Sequence, residues 1–461
     1  MEAITDATTW AAVMFRHSDL GDVRRQKRLF AVSAAMACAP GLSLPNIFED
    51  WAALKGAYNL MKNPAVSADD ILVGPRLETA ARAAGRRVVL LVGDGTEADF
   101  TKHPTTRGLG HIGDGHGRGL MIHSVLGIDG DSREVLGIAA QRTWIRRGFK
   151  GSSKASSAVR AKRRRESAVW LETTRAAADV LSAVPTPPAR VIAVDDAGAD
   201  VFDYLAGCDA AGIGFVVRAA QNRALDPDEF EAGTKVRDTV AAAPVRMVTT
   251  VHVPAGPRRA ARTAIVHVRA VAVTLRAPPT ASTTHALTVN VVAVQEVDGP
   301  TDGTQLDWLL LTSEPIDTDL QVLQIIAWYA ARWLVEEFHM GLKTGCALET
   351  RQLEEGHSLR NLLAISTPIA CELLRLRSAA RAPTPVAAST VLTPAQLTVL
   401  RALRPKLSAE PTAREALRWV ANLGGFLMRT GDGEPGWRTI WRGFQKLRLA
   451  EIGFKVASRS G

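Results

Sequence analysis

The sequence has few cysteines, few aromatic residues and no long apolar run. Its four cysteines lie far apart without paired spacing, which predicts buried free thiols rather than disulfides or a zinc site. No segment approaches the roughly 18 to 20 uninterrupted apolar residues that a membrane-spanning helix needs. The first residues (MEAITDATTW) include early acids and no apolar core, unlike a secretory signal. These features predict a cytoplasmic protein with no membrane partner.

Length and charge bound the class of protein. A chain of 461 residues is too long for one ordinary core, so several globular domains are expected. The net charge of +9 favours a polyanionic partner. Residues 146–165 contain nine basic side chains and no acid, so this segment alone equals the net charge. We predict a flexible loop that binds phosphates, with Arg163 and Arg164 as DNA-binding candidates; the alternative is a solvated serine-rich loop that binds nothing.

Residues 1–70 are predicted to form a small helical domain. Asp22 is a plausible helix cap, and the basic residues behind it include Arg24, Arg25 and Arg28. Basic helical faces suit DNA recognition, although the same pattern fits any helical domain.

From residue 87 the pattern changes to strands. Residues 88–92 form an apolar run, typical of a strand buried on both faces, and Asp94 follows it. Further strands are predicted at 120–128, 134–139, 190–194 and 212–218, with helices at 167–181 and 199–205. The order β-β-β-α-β-α-β is that of a ribonuclease-H-like sheet, where acids at the ends of adjacent strands can meet a metal. Arg218, at the end of the last of these strands, is a further DNA-binding candidate.

Three domains are predicted: a helical DNA-binding domain at 1–70, an α/β domain at 71–370 and a helical domain at 371–461. Alternation with period two between about 222 and 306 indicates an antiparallel β insertion in the α/β domain, after which residues 308–312 return to the core. Helices then dominate, with capping boxes predicted at Thr318–Gln321 and at Thr393–Gln396.

One predicted helix, residues 318–344, carries the strongest functional pattern. At about 100° per residue, Tyr329, Arg332, Glu336 and Lys343 share an arc of about 60°, apart from most of the apolar residues. A glutamate oxygen can bind a divalent metal while the cations hold phosphates beside it. The alternative is an exposed helix face with an ordinary Arg332–Glu336 pair.

Clustered acids suit phosphoryl transfer, because two Mg²⁺ ions about 3.5–4 Å apart activate the attacking oxygen and stabilise the leaving one. Asp94, Asp196 and Glu336 are the predicted catalytic and metal-binding residues, with Mn²⁺ expected to substitute for Mg²⁺. Asp195 is an alternative to Asp196 as the second catalytic aspartate, and alternation places the two side chains on opposite faces of the sheet. Glu337 lies about 100° from Glu336 on the helix, so the two cannot serve the same site.

The spacing Tyr329-x2-Arg332-x3-Glu336-x6-Lys343 resembles the Tyr-Arg-Glu-Lys signature of bacterial DDE transposases in the insertion-sequence-four family. The resemblance runs nearly end to end. It includes the short segments LGDVRR at 20–25, GAY at 56–58, VIAV at 191–194, WLLLTSEP at 308–315 and WRG at 441–443. It favours Asp196 over Asp195. In three places the chain departs from the family: Ala197-Gly198 stands where relatives have Arg-Glu, the segment after Asp94 (GTEADF) differs, and the basic segment 146–165 replaces a more acidic stretch.

The resemblance implies cut-and-paste transposition by a homodimer on paired DNA ends, with a helical C-terminal dimerisation region. Terminal inverted repeats would be bound, nicked and excised through a DNA hairpin, and the 3′-OH ends joined to target DNA. Tyr329, Arg332 and Lys343 would hold terminal phosphates, and Trp308 would receive a flipped base, although a core tryptophan is the alternative. Two other functions stay open: a ribonuclease-H-like nuclease without strand transfer, and an inactive DNA-binding regulator.

Overall fold

The computed structural model describes residues 7–48, 50–146, 157–253, 261–381 and 385–460, without the side chains of 157–167, 438, 455 and 458–460. The strands are β1 (Val88–Asp99), β2 (Gly110–Ile112), β3 (Gly117–Asp129), β4 (Val135–Trp144), β5 (Arg190–Asp195), β6 (Gly214–Arg218), β7 (Met247–Val253), β8 (Arg262–Leu275), β9 (Leu287–Glu296) and β10 (Asp307–Thr312). The helices are α1 (Ala7–Met14), α2 (Val23–Cys38), α3 (Leu44–Ile47), α4 (Trp51–Lys62), α5 (Ala68–Ala83), α6 (Ser157–Ser182), α7 (Phe202–Ala210), α8 (Val236–Ala242), α9 (Asp319–Ala331), α10 (Trp333–Met340), α11 (Gly356–Ala380), α12 (Pro394–Leu403), α13 (Ala413–Leu423) and α14 (Trp437–Ser460).

A mixed sheet forms the centre of the molecule. β1 pairs antiparallel with β3 and parallel with β5, and β5 pairs parallel with β6. β4 pairs with the other edge of β3. This arrangement of antiparallel strands followed by parallel ones is the predicted ribonuclease-H-like order, and the predicted fold class is confirmed.

Side chains on both faces of the sheet are buried, which explains the uninterrupted apolar run of β1. Leu90 and Val92 point into a large core that includes α9, α10 and α11. Val89 and Leu91 point to the other face, where they pack with residues of α5 and α6. Alternate residues of β1 therefore serve two different helical layers.

The predicted β insertion extends the main sheet instead of forming a separate one. The sheet has ten strands, and beyond β6 it continues through β10, β9 and β8 to β7 at the edge. β10 pairs antiparallel with β6, so Trp308 and Arg218 belong to adjacent strands. The strands at the centre of the sheet and those of the insertion thus share one hydrogen-bonded framework.

The prediction of one continuous helix over residues 318–344 is wrong. The Thr318–Gln321 capping box begins α9 as predicted, but α9 ends at Ala331. At the break, the amide of Arg332 bonds to the Tyr329 carbonyl and that of Val335 to the Arg332 carbonyl, both at the tighter three-residue spacing. After α10 the chain forms a π-helical turn at Gly341–Gly345, which contains Lys343. The assumed rotation of about 100° per residue, which aligned the four signature side chains, therefore does not hold across the whole segment.

Helical regions flank the sheet at both ends, as predicted. Asp22 caps α2 through the amide of Arg24, and the Thr393–Gln396 capping box begins α12. Several hydrogen bonds join these regions to the centre, including those made by Arg351 and Trp441. Arg351 donates to the backbone carbonyls of Pro40 and Leu42, and the indole N–H of Trp441 in α14 donates to the carbonyl of Gly345.

Candidate active site

Two aspartates lie side by side on adjacent parallel strands. Val92 of β1 is opposite Val194 of β5, so two residues further on Asp94 reaches the level of Asp196. Contrary to expectation, β1 does not end before Asp94 but continues through it to Asp99, because β3 pairs with β1 as far as Asp99. Asp196 follows β5 and caps a short 3₁₀ turn, where its Oδ1 accepts a 2.7 Å hydrogen bond from the Gly198 amide.

Asp195 points to the opposite face of the sheet. Its side chain is fully buried, and its Oδ2 accepts a 2.6 Å hydrogen bond from the Tyr204 hydroxyl. Gly93 is opposite it, and a side chain there would overlap Oδ1 of Asp195. Burial raises the pKa of Asp195 to about 8, although the Tyr204 hydrogen bond opposes this shift. Asp195 therefore belongs to a buried layer under the site and does not share the open face of Asp196.

Arg332 joins Glu336 to Asp94. Its guanidinium forms an ion pair with Glu336, and its Nη1 lies 3.8 Å from Oδ2 of Asp94. The Arg332–Glu336 pair foreseen as an ordinary surface contact thus exists, but Arg332 is only 15% exposed and also contacts an acid of the sheet. The helix break at Arg332 and this contact with β1 occur at the same residue.

Negative charge exceeds positive charge in this cluster. Burial raises the pKa of Asp94 to about 7, and repulsion from Asp196 and Glu336 adds to the rise. Arg332 and the Gly95 amide lower the pKa but do not compensate. Hard carboxylate oxygens with an excess of negative charge are suited to bind a divalent cation. Among the described residues, however, no three His, Cys, Asp or Glu side chains are spaced as a metal site. Arg332 is the cation that contacts the acids here.

An aromatic pair lies next to the acids. The rings of Trp308 and Tyr329 are 4.9 Å apart and nearly perpendicular. Tyr329 is buried, and the half-buried Trp308 packs against the edge of the main core. Burial raises the pKa of the Tyr329 hydroxyl, while the charges of Arg332 and Arg218 lower it. Arg218 also donates a 3.2 Å hydrogen bond to the Asp307 carbonyl beside Trp308.

Lys343 lies apart from the other three signature residues. Its Nζ is 3.6 Å from Oε1 of Glu349, and the same oxygen accepts a 3.0 Å hydrogen bond from the amide of Asp99. Asp99 ends β1, five residues beyond Asp94. The structure therefore brings Tyr329, Arg332 and Glu336 together near Asp94. Lys343 lies instead near the far end of β1.

Three known families match parts of the chain. Residues 7–66 match a transposase DNA-binding domain, and residues 161–369 match a transposase DDE domain. Residues 369–460 match the transposase Tn5 dimerisation domain. The chain is a DDE transposase. Its DDE match spans Asp196 and Glu336 but begins after Asp94, so β1 to β4 lie outside the matched range.

The matches define the general activity of the transposase. It is an enzyme that acts on DNA, and its DDE domain implies dependence on a divalent metal. It binds DNA through its N-terminal helices and forms a homodimer through its C-terminal helices. The end of α14 carries exposed Leu449 and Val456, in keeping with such an interface. Within the described part of the transposase, no helix is long and apolar enough to cross a membrane.

The remaining basic residues predicted to bind DNA fall in two places. On α2, Arg24 and Arg28 are exposed, while Arg25 is half-buried and donates a 3.0 Å hydrogen bond to the Leu20 carbonyl. In the segment 146–165, residues 147–156 lie outside the described residues. α6 begins at Ser157, so the loop predicted up to residue 165 is helical in its last part. The side chains of Arg163 and Arg164 are also outside the described part.

Sequence reasoning missed Gly93 as a residue that shapes the site. A side chain there would overlap Oδ1 of Asp195, so Gly93 lets a buried carboxyl lie directly beneath the level of Asp94 and Asp196. The signal was available, since a glycine inside a strand marks a close approach of neighbouring atoms.

Proposed function

We propose that this transposase moves a DNA element by cut-and-paste transposition, with Asp94, Asp196 and Glu336 as the metal-binding catalytic residues. The observation that carries the proposal is that Arg332 contacts both Asp94 and Glu336 while Asp196 raises the pKa of Asp94. Three acids from two strands and one helix thus act electrostatically on one another. A pair of Mg²⁺ ions held by these carboxylates would activate the attacking oxygen and stabilise the leaving one. Mn²⁺ is expected to substitute, because it also prefers oxygen ligands.

The proposed reaction consists of four phosphoryl transfers. Water attacks a phosphodiester at the element's end, which frees a 3′-OH on the element and leaves a 5′-phosphate on the flanking DNA. The 3′-OH attacks the opposite strand, which forms a hairpin and releases the flank. Water opens the hairpin, and the regenerated 3′-OH attacks a phosphodiester of the target. Each step breaks one P–O bond and forms one, so a single site suffices for all four.

Side chains around the acids have proposed roles in holding DNA. The guanidinium of Arg332 contacts the acids through two nitrogens. When DNA binds, these nitrogens would instead donate hydrogen bonds to a phosphate. The half-buried Trp308 beside Tyr329 offers a face on which a displaced base can stack. Arg218 and Lys343 would bind backbone phosphates on either side. Arg24, Arg25 and Arg28, with Arg163 and Arg164, would neutralise phosphates further along the duplex.

We propose domain boundaries near residues 70 and 370, supported by the ranges of the three matched families. Residues 1–70 would bind the terminal inverted repeats, 71–370 would carry the chemistry, and 371–461 would pair two subunits on two ends. Since its substrate is DNA, the working enzyme is placed in the cytoplasm on the nucleoid.

The test uses the DNA that flanks the coding region on each side. Purified protein and Mg²⁺ are mixed with labelled flank fragments and a target plasmid, and the products are separated under denaturing conditions. We expect nicks, then hairpins seen as double-length strands, then joined products. Glu336→Gln keeps the side chain's shape and should bind the same fragments without cutting them. Cleavage without hairpins or joining would support a nuclease, and binding without cleavage by the wild type would support a regulator.

A further inference from the structure

Trp51 is held in solvent at the beginning of α4. Of the ten tryptophans in the sequence, all of them in the described part, it alone is exposed, and 70% of its surface is accessible. The backbone at this position is held by a helix cap, in which Asp50 accepts a 2.8 Å hydrogen bond from the Ala53 amide. A tryptophan usually buries most of its large apolar surface, so an exposed one at the capped start of a helix suggests a partner.

The exposed face of α4 is polar and basic apart from Trp51. Leu54, Ala57, Leu60 and Met61 are buried against the rest of the protein. The opposite face carries Trp51, Lys55, Asn59 and Lys62, which helical spacing aligns on one side. Residues 51–62 include no acid. Among the described residues, Glu354 approaches this face at 3.9 Å from Lys62, and Asp50 caps the start of the helix.

A second helix adds charge to this surface. Arg28 of α2 lies across α4 at Gly56, where a Cβ would be only 2.6 Å from the Arg28 guanidinium carbon. Gly56 therefore lets Arg28 lie directly against α4, and Arg24, one helical turn before Arg28, and Lys27 are exposed on α2. The charge of this surface complements a phosphate backbone.

We propose that α4 lies in a groove of the element's end and that Trp51 contacts bases there, so that Trp51 helps to select the end sequence. This inference rests on the proposed binding of terminal repeats by the N-terminal domain. Lysine and arginine contacts to phosphates position a protein but carry no sequence information. An uncharged indole cannot bind phosphate by charge. It can instead pack on a thymine methyl or insert at a flexible base step, and both contacts depend on sequence.

The experiment measures sequence selection directly, so the sequence of the element's ends need not be known. The full-length protein enriches bound duplexes from a randomised pool, and affinities are then measured for the enriched duplex and a shuffled duplex of equal composition. Trp51→Ala should bind the enriched duplex about tenfold more weakly and the shuffled one unchanged. Trp51→Phe should recover part of the loss. The matched control Lys55→Ala, on the same helix face, should weaken both duplexes and lower the slope of log K against log salt by about one.

Each outcome is informative. Thermal unfolding of Trp51→Ala should match the wild type, since the side chain is exposed, so a loss of binding cannot be ascribed to misfolding. If the wild type enriches no sequence, end binding by this domain fails and the inference falls with it. If the wild type selects a sequence and Trp51→Ala binds it equally well, or loses both duplexes equally, the base-contact role alone is overturned. A change confined to oligomeric state would assign Trp51 to a protein contact and overturn it too.

Discussion

The hydroxyl of Tyr204 donates a 2.6 Å hydrogen bond to Asp195, the residue before the proposed catalytic Asp196. Both side chains are buried, and Oδ1 of Asp195 has no hydrogen-bond partner among the described residues. The single described hydrogen bond to this carboxyl therefore comes from a helix on the face opposite the active site. It fixes the end of β5, where the chain turns to present Asp196.

Tyr204→Phe should destabilise the protein by about 1–3 kcal/mol, because it leaves a buried carboxyl without a hydrogen bond. A double-mutant cycle with Asp195→Ala, which removes the acceptor, separates this effect from the loss of the hydroxyl itself. In denaturant unfolding followed by circular dichroism, Tyr204→Phe should cost less in the Asp195→Ala background. Equal costs in both backgrounds would show that the two residues do not interact.

Arg332→Ala should have opposite effects on metal and DNA. Removing the guanidinium frees Asp94 and Glu336 from a competing cation, so free protein should bind Mn²⁺ roughly tenfold more tightly in electron paramagnetic resonance titrations. DNA ends should bind more weakly, because a phosphate contact is lost. Arg332→Lys keeps the charge and should retain Mn²⁺ affinity near that of the wild type. Unchanged Mn²⁺ affinity in Arg332→Ala would argue against competition for the acids.

Glu336→Gln should abolish DNA cleavage without lowering stability, whereas Glu337→Gln should lower stability without abolishing cleavage. Oε1 of Glu337 lies 3.1 Å from Arg377 on α11 and 3.1 Å from Arg381, which follows that helix, and the glutamate is buried. Glu337→Gln leaves the partly buried Arg377 without its counter-charge, so it should lower the melting temperature and still cut DNA at low temperature. Glu336→Gln should melt close to the wild type and not cut. A Glu337→Gln protein that is stable but inactive would contradict this division of roles.

Acid should destabilise the protein through two buried histidines. Burial lowers the pKa of His123 to about 3 and that of His339 to about 3. In the unfolded chain a histidine has a pKa of about 6.5. The unfolded state therefore binds more protons between about pH 6.5 and 3, so stability is present above this window and is lost as the pH falls through it. His123→Asn and His339→Gln should each flatten the fall in melting temperature between pH 7 and 5. The exposed His116, mutated in the same way, serves as the control.

The central strands could be predicted because each has an apolar pattern of its own. The buried run before Asp94, the period-two strands after residue 247 and both capping boxes depend on local spacing, and all occur as expected. The faces of Asp195 and Asp196 also follow from alternation alone. What alternation could not decide was which face meets the helices that carry the other acid, since that depends on tertiary packing.

Features set by distant partners were missed. β1 continues through Gly93, Asp94 and Gly95, a sequence typical of a turn, because β3 supplies hydrogen bonds along its whole length. The helix break at Arg332 lies beside a contact with Asp94, more than 200 residues away in the sequence. The insertion extends the main sheet because β10 pairs with β6, and no local pattern encodes that pairing. Lys343 leaves the arc of its signature because it lies in a π turn, and Trp441 donates a hydrogen bond to the last carbonyl of that turn.

The bond from Trp441 to Gly345 bears on how shortened copies of this gene should be judged. A copy that ends before α14 would keep Asp94, Asp196 and Glu336. Judged only by the presence of these three acids, it would be taken for an active enzyme. It would nevertheless lack the indole that binds the end of the turn carrying Lys343, in addition to its means of pairing. We expect such remnants in a genome to lack the activity of the complete protein, and to compete with it for DNA wherever residues 7–66 survive.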